Sequence, residues 1–455
     1  MSQPFDVAIV GAGFAGIACA IALIRCNPAL NIALLDPSES LPAGLPFAGA
    51  RPEHLLNVRA DQMSLDSTQP LHFCEYLSKQ EFGKELSEYS AAVREIFAPR
   101  AVYCNYVREV FEQAKRDALA GSGRISSMRL QVTQVTRLGQ QYLLSGADER
   151  LQLQAPHVIL ALGAGEYKAL ISHPRWHLGP WRLSELPAHT PSDTALIIGS
   201  GLTGIDSAQT LHRLGWCGGI KMLSPNARLP AANFACAVPI WQLAPNFVQH
   251  SQTPRLFLQA LRAELARAKA DAVDWRAVLN ALRSVTAEIF GQWTPSQRVS
   301  ILRRAGSLWG THRHRMPPSV AELVRALESS GQLSRIPGRF VDVQSRSDTA
   351  LCVQIAGRVM METYANDYAL VLDARGPNYR AQDWPLVSSL IAAGLLKASQ
   401  SGFGLHVDND GRVGEHIYTL GVLTYGERLE TMAVPEIRQQ AERIAELIVA
   451  QIKLA

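Results

Sequence analysis

The chain has 455 residues, of which 47% are hydrophobic and 18% are charged. This composition supplies packed cores for two or three domains and excludes a disordered or fibrous protein. The net charge of +4, without a long basic run, does not indicate nucleic-acid binding. The seven cysteines form no CxxC pair, so a local dithiol centre and a zinc knuckle lack their ligands. We therefore predict no metal site and expect reduced thiols in a cytoplasmic protein.

The N-terminal segment is apolar enough to resemble a membrane span, but its pattern favours a buried βαβ unit. Residues 6–10 form a short apolar strand, and residues 14–26 are small and helix-compatible. A second apolar strand, residues 32–35, follows and ends at Asp36. Glycines interrupt the segment at fixed spacing and no basic residues precede it, so we predict no membrane span.

A glycine-rich motif, GAGFAG at 11–16, lies between the first strand and its helix. Gly11 permits a tight turn, Gly13 permits close approach to a pyrophosphate, and Gly16 permits close packing of the helix. The helix N-terminus offers free N–H groups to phosphates, and Asp36 is placed to accept hydrogen bonds from a ribose. The loop at 42–47 follows and is predicted to wrap the same nucleotide. The residues predicted to bind this cofactor are Gly11, Gly13, Phe14, Ala15, Gly16, Asp36 and Gly44.

The same pattern returns at 195–224, where a strand precedes the motif GSGLTG. The strand after it ends at Ser224 rather than at an acid, and Arg228 follows. A hydroxyl and an arginine suit the 2′-phosphate of NADPH, which an acid would repel. We therefore predict NADPH rather than NADH, with a merely solvated Arg228 as the alternative. The predicted contacts are Gly199, Gly201, Leu202, Thr203, Gly204, Ser224 and Arg228.

Two dinucleotide motifs in one chain are typical of flavoproteins that use FAD and NAD(P)H, with FAD at the N-terminal site. We predict an α/β fold of two Rossmann-like domains plus a helical segment at 254–330. Strand-like stretches follow at 339–355 and 368–373, and an amphipathic helix at 435–454 ends the chain. The predicted division is an FAD domain at 1–185, an NADPH domain at 190–335 and the rest of the FAD domain at 336–455.

Several segments carry a more specific resemblance. EHLLNVRA at 53–60, FAPR at 97–100, DWR at 274–276 and ETMAVPEIR at 430–438 resemble the bacterial family of FAD/NAD(P)-binding proteins, which is related to flavin monooxygenases. The resemblance implies that the NADPH domain is inserted in a discontinuous FAD domain. It also implies that Asn57 contacts the flavin edge or the nicotinamide, with a loop-bracing asparagine as the alternative. It does not imply a substrate.

Two further features are candidates for the reacting end of the site. The HRHR segment is the densest cationic cluster, and in an extended conformation both of its histidines would share one face. We consider His312, His314 and Arg315 candidates for binding an anionic substrate or a nucleotide phosphate, against a charged segment that only bridges helices. Val434 and Pro435 open the last helix, whose N-terminus would stabilise a reduced flavin if aimed at it. The alternative is a simple docking helix.

The predicted function is that of an FAD-dependent oxidoreductase which uses NADPH, most readily a monooxygenase acting on a small molecule through reduced flavin and O2. The flavin would carry the chemistry, so no nucleophilic side chain is expected. A reductase passing electrons to an organic or protein acceptor would use the same two sites. A non-catalytic FAD redox sensor and a membrane quinone reductase are further alternatives, and the sequence leaves a homo-oligomer open.

Overall fold

The computed structural model describes residues 4–39, 41–42, 44, 49–80, 90–147, 151–165, 169–181, 183–234, 239–358, 362–376 and 379–454. Most of the predicted FAD-wrapping loop at 42–47 lies outside these residues, and of that loop only Pro42 and Gly44 are described. None of the helices among the described residues is long and apolar enough to cross a membrane.

The strands, in chain order, are β1 (Val7–Val10), β2 (Asn31–Asp36), β3 (Arg124–Arg129), β4 (Gln134–Leu138), β5 (Gln141–Ser145), β6 (Gln152–Ala155), β7 (His157–Leu160), β8 (Trp176–Leu178), β9 (Thr194–Ile198), β10 (Gly219–Ser224), β11 (Leu333–Ser347), β12 (Ala350–Gly357), β13 (Thr363–Tyr368), β14 (Leu370–Asp373), β15 (Arg412–Gly414) and β16 (Ile417–Thr419). The α-helices among the described residues are α1 (Phe14–Cys26), α2 (His72–Lys79), α3 (Ser90–Glu95), α4 (Arg100–Ala120), α5 (Leu202–Arg213), α6 (Pro254–Ala270), α7 (Trp275–Ala281), α8 (Thr286–Gln292), α9 (Pro295–Arg313), α10 (Pro318–Ser329), α11 (Pro385–Ala392) and α12 (Val434–Leu454).

The first sheet has the strand order β15-β16-β7-β1-β2-β3. Its β1 pairs in parallel with β2 and β7, and all four residues of β1 are buried because both faces of the sheet are covered. Helices α1, α4 and α12 share one hydrophobic core, and β4–β6 and α11 contribute to the core on the other face. The carboxyl ends of its parallel strands therefore form one edge, at which the first glycine motif lies.

The second sheet has the order β13-β12-β11-β10-β9-β14-β8. Strands β8, β14, β9 and β10 are parallel, and β11 pairs in parallel with β10 before it forms an antiparallel hairpin with β12. Helices α5 and α10 pack against one face. The two sheets, each with a parallel core covered by helices, confirm the predicted α/β fold class.

Strands of the second sheet extend on both sides of the predicted NADPH range 190–335. They begin at Trp176 and end at Asp373, so the segment 336–373 lies in the second sheet rather than with the FAD domain. The physical reason is that β11 continues without a break from its parallel to its antiparallel partner. A boundary placed at 335 falls inside that strand, which no composition shift marks.

Buried polar contacts join the first sheet's layer to α5 of the second. The guanidinium of Arg100, at the start of α4, lies 2.7 Å from Asp206 on α5, and both side chains are nearly inaccessible. Arg100 also donates to the carbonyl of Leu55 and lies over the ring of Trp181. Burial raises the pKa of Asp206 to about 6, although Arg100 acts against this shift. The pair is therefore held in an environment where either charge alone is strongly disfavoured.

A second buried contact reinforces this junction. The Nε2 atom of His54 lies 2.9 Å from the hydroxyl of Thr210, one turn after Asp206 on α5. Burial, and then the charge of Arg100, lower the pKa of His54 to about 4, so the imidazole is neutral at pH 7. Because the imidazole of His54 is neutral, the side chain that pairs with the charge of Arg100 is Asp206.

Replacing Arg100 with Met should leave the Asp206 carboxylate buried without its counter-ion. We expect the free energy of unfolding to fall by about 3–5 kcal/mol, measured by urea denaturation at pH 7. The double variant Arg100→Met/Asp206→Leu removes both charges and should recover most of that loss. If the double variant is as unstable as the single one, shape rather than charge holds the junction.

Candidate functional site

The first glycine loop is built so that backbone approaches backbone. Gly11 has φ +103°, and a Cβ added there would lie 2.3 Å from the carbonyl oxygen of Ala161, just after β7. A Cβ on Gly16 would lie 1.9 Å from the carbonyl oxygen of Gly11. Neither contact is compatible with a side chain, so these two glycines are required by packing. Gly13 begins α1 without a side-chain cap, which leaves the first N–H groups of the helix available to a phosphate.

Asp36 is fixed beside this loop at the carboxyl end of β2. Its Oδ2 accepts a hydrogen bond from the backbone N–H of Ala12 at 2.8 Å, and its Oδ1 accepts one from Ser38 at 2.9 Å. A cavity of about 310 Å³ lies against it. Gly44, with φ +121°, approaches the loop so closely that an added Cβ would be 3.5 Å from Cα of Gly13. The open cradle, the helix N-terminus and the carboxylate fit the pyrophosphate and ribose of FAD.

The second loop repeats the first atom for atom at its two packing positions. Gly199 has φ +113°, and an added Cβ would lie 2.2 Å from the carbonyl oxygen of Ala374, after β14. A Cβ on Gly204 would lie 2.2 Å from the carbonyl oxygen of Gly199. At Gly201, by contrast, no described atom lies within 4 Å of an added Cβ. Gly201 therefore faces open space at the start of α5, where a second pyrophosphate fits.

The position equivalent to Asp36 is occupied by Ser224. The hydroxyl of Ser200, inside the second loop, lies 2.8 Å from the Ser224 hydroxyl and donates to the carbonyl of Arg228 at 2.6 Å. The side chain of Arg228 is exposed. The structure thus brings Ser224 and Arg228 to the second glycine loop, as the sequence predicts, while their contact with a 2′-phosphate stays a prediction.

Sequence reasoning missed a second cation at this place. Arg358, just after β12, hydrogen-bonds the side-chain oxygen of Asn226 between Ser224 and Arg228. Arg335 also donates to the carbonyl of Ala227 at 3.1 Å, but it pairs with Glu328. Arg358 lies 130 residues further along the chain than Arg228, and only the pairing of β10, β11 and β12 brings the two together. No local sequence motif predicts that Arg358 lies at this site.

A second cavity, of about 320 Å³, lies between the first domain and the helical segment. We call it the Asn57–Arg315 cavity. It brings together the predicted residues Asn57, His314 and Arg315, and it is bounded by Ala433, which directly precedes Val434. Its lining comprises Asn57, Val58, Arg59, Asp61, Gln62, Asn233, Pro239, Ile240, Trp241, Ala277, Asn280, Ala281, Arg283, Arg313, His314, Arg315 and Ala433.

His312 does not join this cavity, which corrects the interpretation of the HRHR segment as extended. The residue belongs to the last turn of α9, where it is exposed and packs edge-on against Trp275, with ring centroids 5.3 Å apart. In a helix, consecutive residues point about 100° apart rather than alternating between two faces. His312 and His314 therefore do not share a face.

An ion-pair network missed by the sequence analysis holds the cavity wall. Arg313 donates to Glu430 at 2.7 and 2.8 Å, and Glu436 lies 3.4 Å from it. Arg283 lies 2.9 Å from Glu436. Although burial acts against the charged form, Glu430 and Glu436 raise the pKa of Arg313. The network ties α9 and the helical segment to the start of α12.

Val434 and Pro435 are both buried at the start of α12, and Val434 shares the first core with Phe14 and Val58. The first turn carries Glu436, whose charge is shared between two arginines. This packing places the helix N-terminus beside the Asn57–Arg315 cavity, whose lining includes Ala433. Contact of Val434 or Pro435 with flavin stays a prediction.

Residues 8–165 match the sequence model of the FAD-NAD(P)-binding family, which confirms the resemblance for the N-terminal domain and FAD and NAD(P) as its cofactor class. No curated protein sequence matches the chain. Among solved structures, the ornithine N-hydroxylase of Kutzneria sp. 744 aligns with a TM-score of 0.68 and 14% identity, over 99% of this chain and 100% of that one. The L-lysine 6-monooxygenase of Pseudomonas syringae aligns with a TM-score of 0.64 and 17% identity, over 98% and 99%.

A thioredoxin reductase of Lactococcus lactis aligns more loosely, with a TM-score of 0.53 and 12% identity, over 99% of this chain and 100% of that one. At these identities the alignments show the fold. It is that of flavoproteins with two dinucleotide-binding domains, as the paired glycine motifs predict.

The matched glycines of the two loops allow the cofactor sites to be separated. Gly13 and Gly201 both have ordinary negative φ, so a side chain does not strain either backbone. We expect Gly13→Val to block the first pyrophosphate and yield colourless protein. Gly201→Val should remain yellow but bind NADPH and NADH at least tenfold more weakly, because both share the pyrophosphate.

Flavin absorbance of the purified proteins and coenzyme titrations under argon measure the two effects, and each variant is the control for the other. A Gly13→Val protein with full flavin content would contradict the FAD assignment. Loss of flavin from Gly201→Val would contradict the assignment of the second loop.

Proposed function

We propose that the protein is an FAD-dependent monooxygenase that uses NADPH and acts on a small molecule. The observation that carries this proposal is the pair of equivalent glycine loops that differ at one position, Asp36 in the first and Ser224 in the second. That difference supports FAD at the first loop and NADPH at the second. The fold is shared with an ornithine N-hydroxylase crystallised with reduced FAD, NADP+ and L-ornithine, which supports the oxygenase assignment.

When bound, FAD would carry electrons from NADPH to O2, and the side chains of the protein would hold the reactants in place. In the first loop the N–H groups at the start of α1 would bind the pyrophosphate, and Asp36 the ribose. Because Ala12 donates to Asp36, the carboxylate is oriented before the cofactor arrives. Gly44 would cover the pyrophosphate from the other side, as its approach to Gly13 suggests.

In the second domain, Gly201 and the start of α5 would bind the NADPH pyrophosphate. Ser224, Arg228 and Arg358 would surround the 2′-phosphate with a hydroxyl and two cations. The Arg100–Asp206 pair would keep this second site at a fixed distance from the first, since α5 carries both the loop and Asp206.

The Asn57–Arg315 cavity is the proposed substrate site. Asn57 lies in its wall next to Val58, which shares a core with Phe14 of the first glycine loop. A molecule in the cavity would therefore lie at the carboxyl edge of the first sheet, where ligands of this fold class bind. The side-chain amide of Asn57 can offer both a donor and an acceptor there.

The reductase alternative is favoured by the alignment with thioredoxin reductase. Electron transfer through a disulfide would require a cysteine pair within about 7 Å. The six cysteines of the described residues are free, and four of them, Cys19, Cys26, Cys74 and Cys104, have pKa values raised by burial. Raised thiol pKa values oppose relay chemistry, so we prefer the oxygenase. A cytoplasmic location and a homo-oligomer stay predictions.

The oxygenase proposal is tested by following oxygen atoms. Protein reduced with NADPH under argon is mixed with ¹⁸O2 and a small-molecule extract, and products are analysed by mass spectrometry. We expect NADPH oxidation to be accompanied by one ¹⁸O atom in a product. Slow reoxidation without label, together with rapid reduction of an artificial acceptor, would instead identify a reductase.

The coenzyme preference is tested at the two exposed cations. Arg228→Ala and Arg358→Ala should each weaken NADPH binding roughly tenfold, because each removes a charge-assisted hydrogen bond worth about 1.5–3 kcal/mol. NADH binding should be unchanged, since NADH lacks the 2′-phosphate. Arg255→Ala, an exposed arginine on α6, is the matched control. Equal losses for both coenzymes would show that neither arginine discriminates between them.

A further inference from the structure

Arg315 differs from the other arginines of the Asn57–Arg315 cavity that carry carboxylate partners. Arg283 and Arg313 are neutralised by Glu436 and Glu430. Arg315 is 5% exposed, and among the described residues it makes no ion pair. Its Nη2 donates to the neutral side chain of Asn280, while its Nε and Nη1 are buried without an acceptor. A buried guanidinium in this condition carries a large desolvation cost.

The charged residues around Arg315 add further positive charge rather than a counter-ion. Burial, and then the charges of Arg313 and Arg276, lower the pKa of Arg315 to about 9, which still leaves it charged at pH 7. Asp274 pairs with Arg276 at 3.0 Å and is not available to it. The neighbouring His314 is not a second cation, because burial and then Arg313 lower its pKa to about 4. No carboxylate among the described residues therefore pairs with the charge of Arg315 in this wall.

The other residues that line the cavity indicate the chemistry of the rest of an anionic ligand. Trp241, Ala277 and Ala281 line the cavity with apolar surface, and Ile240, which is 95% exposed, marks its mouth. Apolar surface beside a buried cation that lacks a carboxylate partner fits a ligand with one anionic head and a short carbon chain. A volume of about 320 Å³ lies at the small end of ligand cavities and favours a small metabolite.

We propose that the Asn57–Arg315 cavity binds the carboxylate group of a small monoanionic substrate, with Arg315 as its counter-ion and the Trp241 side of the wall against its carbon chain. The carboxylate would pair with the guanidinium group of Arg315, which lines the cavity. That the ligand is a substrate rests on the proposed function, whereas its binding at Arg315 does not.

The test uses FAD-loaded protein and three probes of equal chain length: hexanoate, hexanamide and hexylamine. Isothermal titration calorimetry should show saturable binding of hexanoate at millimolar concentration and at least tenfold weaker binding of the neutral and cationic probes. Arg315→Met should weaken hexanoate roughly tenfold or more. Arg315→Lys should lose less, since it keeps the charge but not the planar donors. Arg255→Met, which removes a charge outside the cavity, should have no effect.

Several outcomes overturn the proposal. These are no binding of hexanoate to the unaltered protein, equal binding to Arg315→Met, preference for hexylamine, or tighter binding of butyl phosphate than of hexanoate. Loss of flavin from both Arg315 variants, with unchanged circular dichroism, would show that Arg315 serves the cofactor. Binding of hexanoate without any ¹⁸O product would sustain the carboxylate site and remove the oxygenase, so the two proposals fail separately.

Discussion

The buried Arg100–Asp206 ion pair is the constraint on which the arrangement of the two nucleotide sites depends. Asp206 lies on the helix that starts in the second glycine loop, and Arg100 starts a helix that packs in the core of the first domain. An ion pair buried to this extent tolerates little separation, because parting the charges exposes each to a low dielectric. The uncharged contact between His54 and Thr210 adds a directional hydrogen bond at the same place. Hydride transfer needs two cofactors in a fixed relation, and in the proposed function this junction would supply it.

The two domains share the same backbone packing at their glycine loops, but they differ in the side chains beside those loops. In both, a strand ends at a glycine in the left-handed region, whose place is set by a carbonyl oxygen after a neighbouring strand. In both, a later glycine lets the helix rest on the turn. The domains differ in what the next strand presents, Asp36 or Ser224. Backbone packing is thus shared, and in the proposed assignment a single side-chain position would distinguish the ribose of FAD from the 2′-phosphate of NADPH.

The repeated solution also explains how much could be predicted from the sequence. Glycine motifs, buried strands and the final helix are fixed by local sterics and periodicity, so they were predictable. Arg358 and the ion pairs of Arg100 and Arg313 depend on pairings between distant segments, which no local pattern carries. The position of His312 was wrong because charged residues fit a helix end as well as an extended segment. The predicted boundary at 335 lies inside β11, because that one strand pairs with both β10 and β12.

The segments that carry the family resemblance turn out to be braces around the Asn57–Arg315 cavity. Asp274 caps α7 and pairs with Arg276, Glu430 holds Arg313, and Arg438 donates to the carbonyl of Ser64. Each of these contacts joins elements that form or support the wall, and each is satisfied within the protein. Segments of this kind determine the shape of a cavity, but they do not identify the ligand that the cavity binds. In the carboxylate proposal the occupant is indicated instead by the guanidinium of Arg315, which lines the cavity and has buried nitrogens without acceptors.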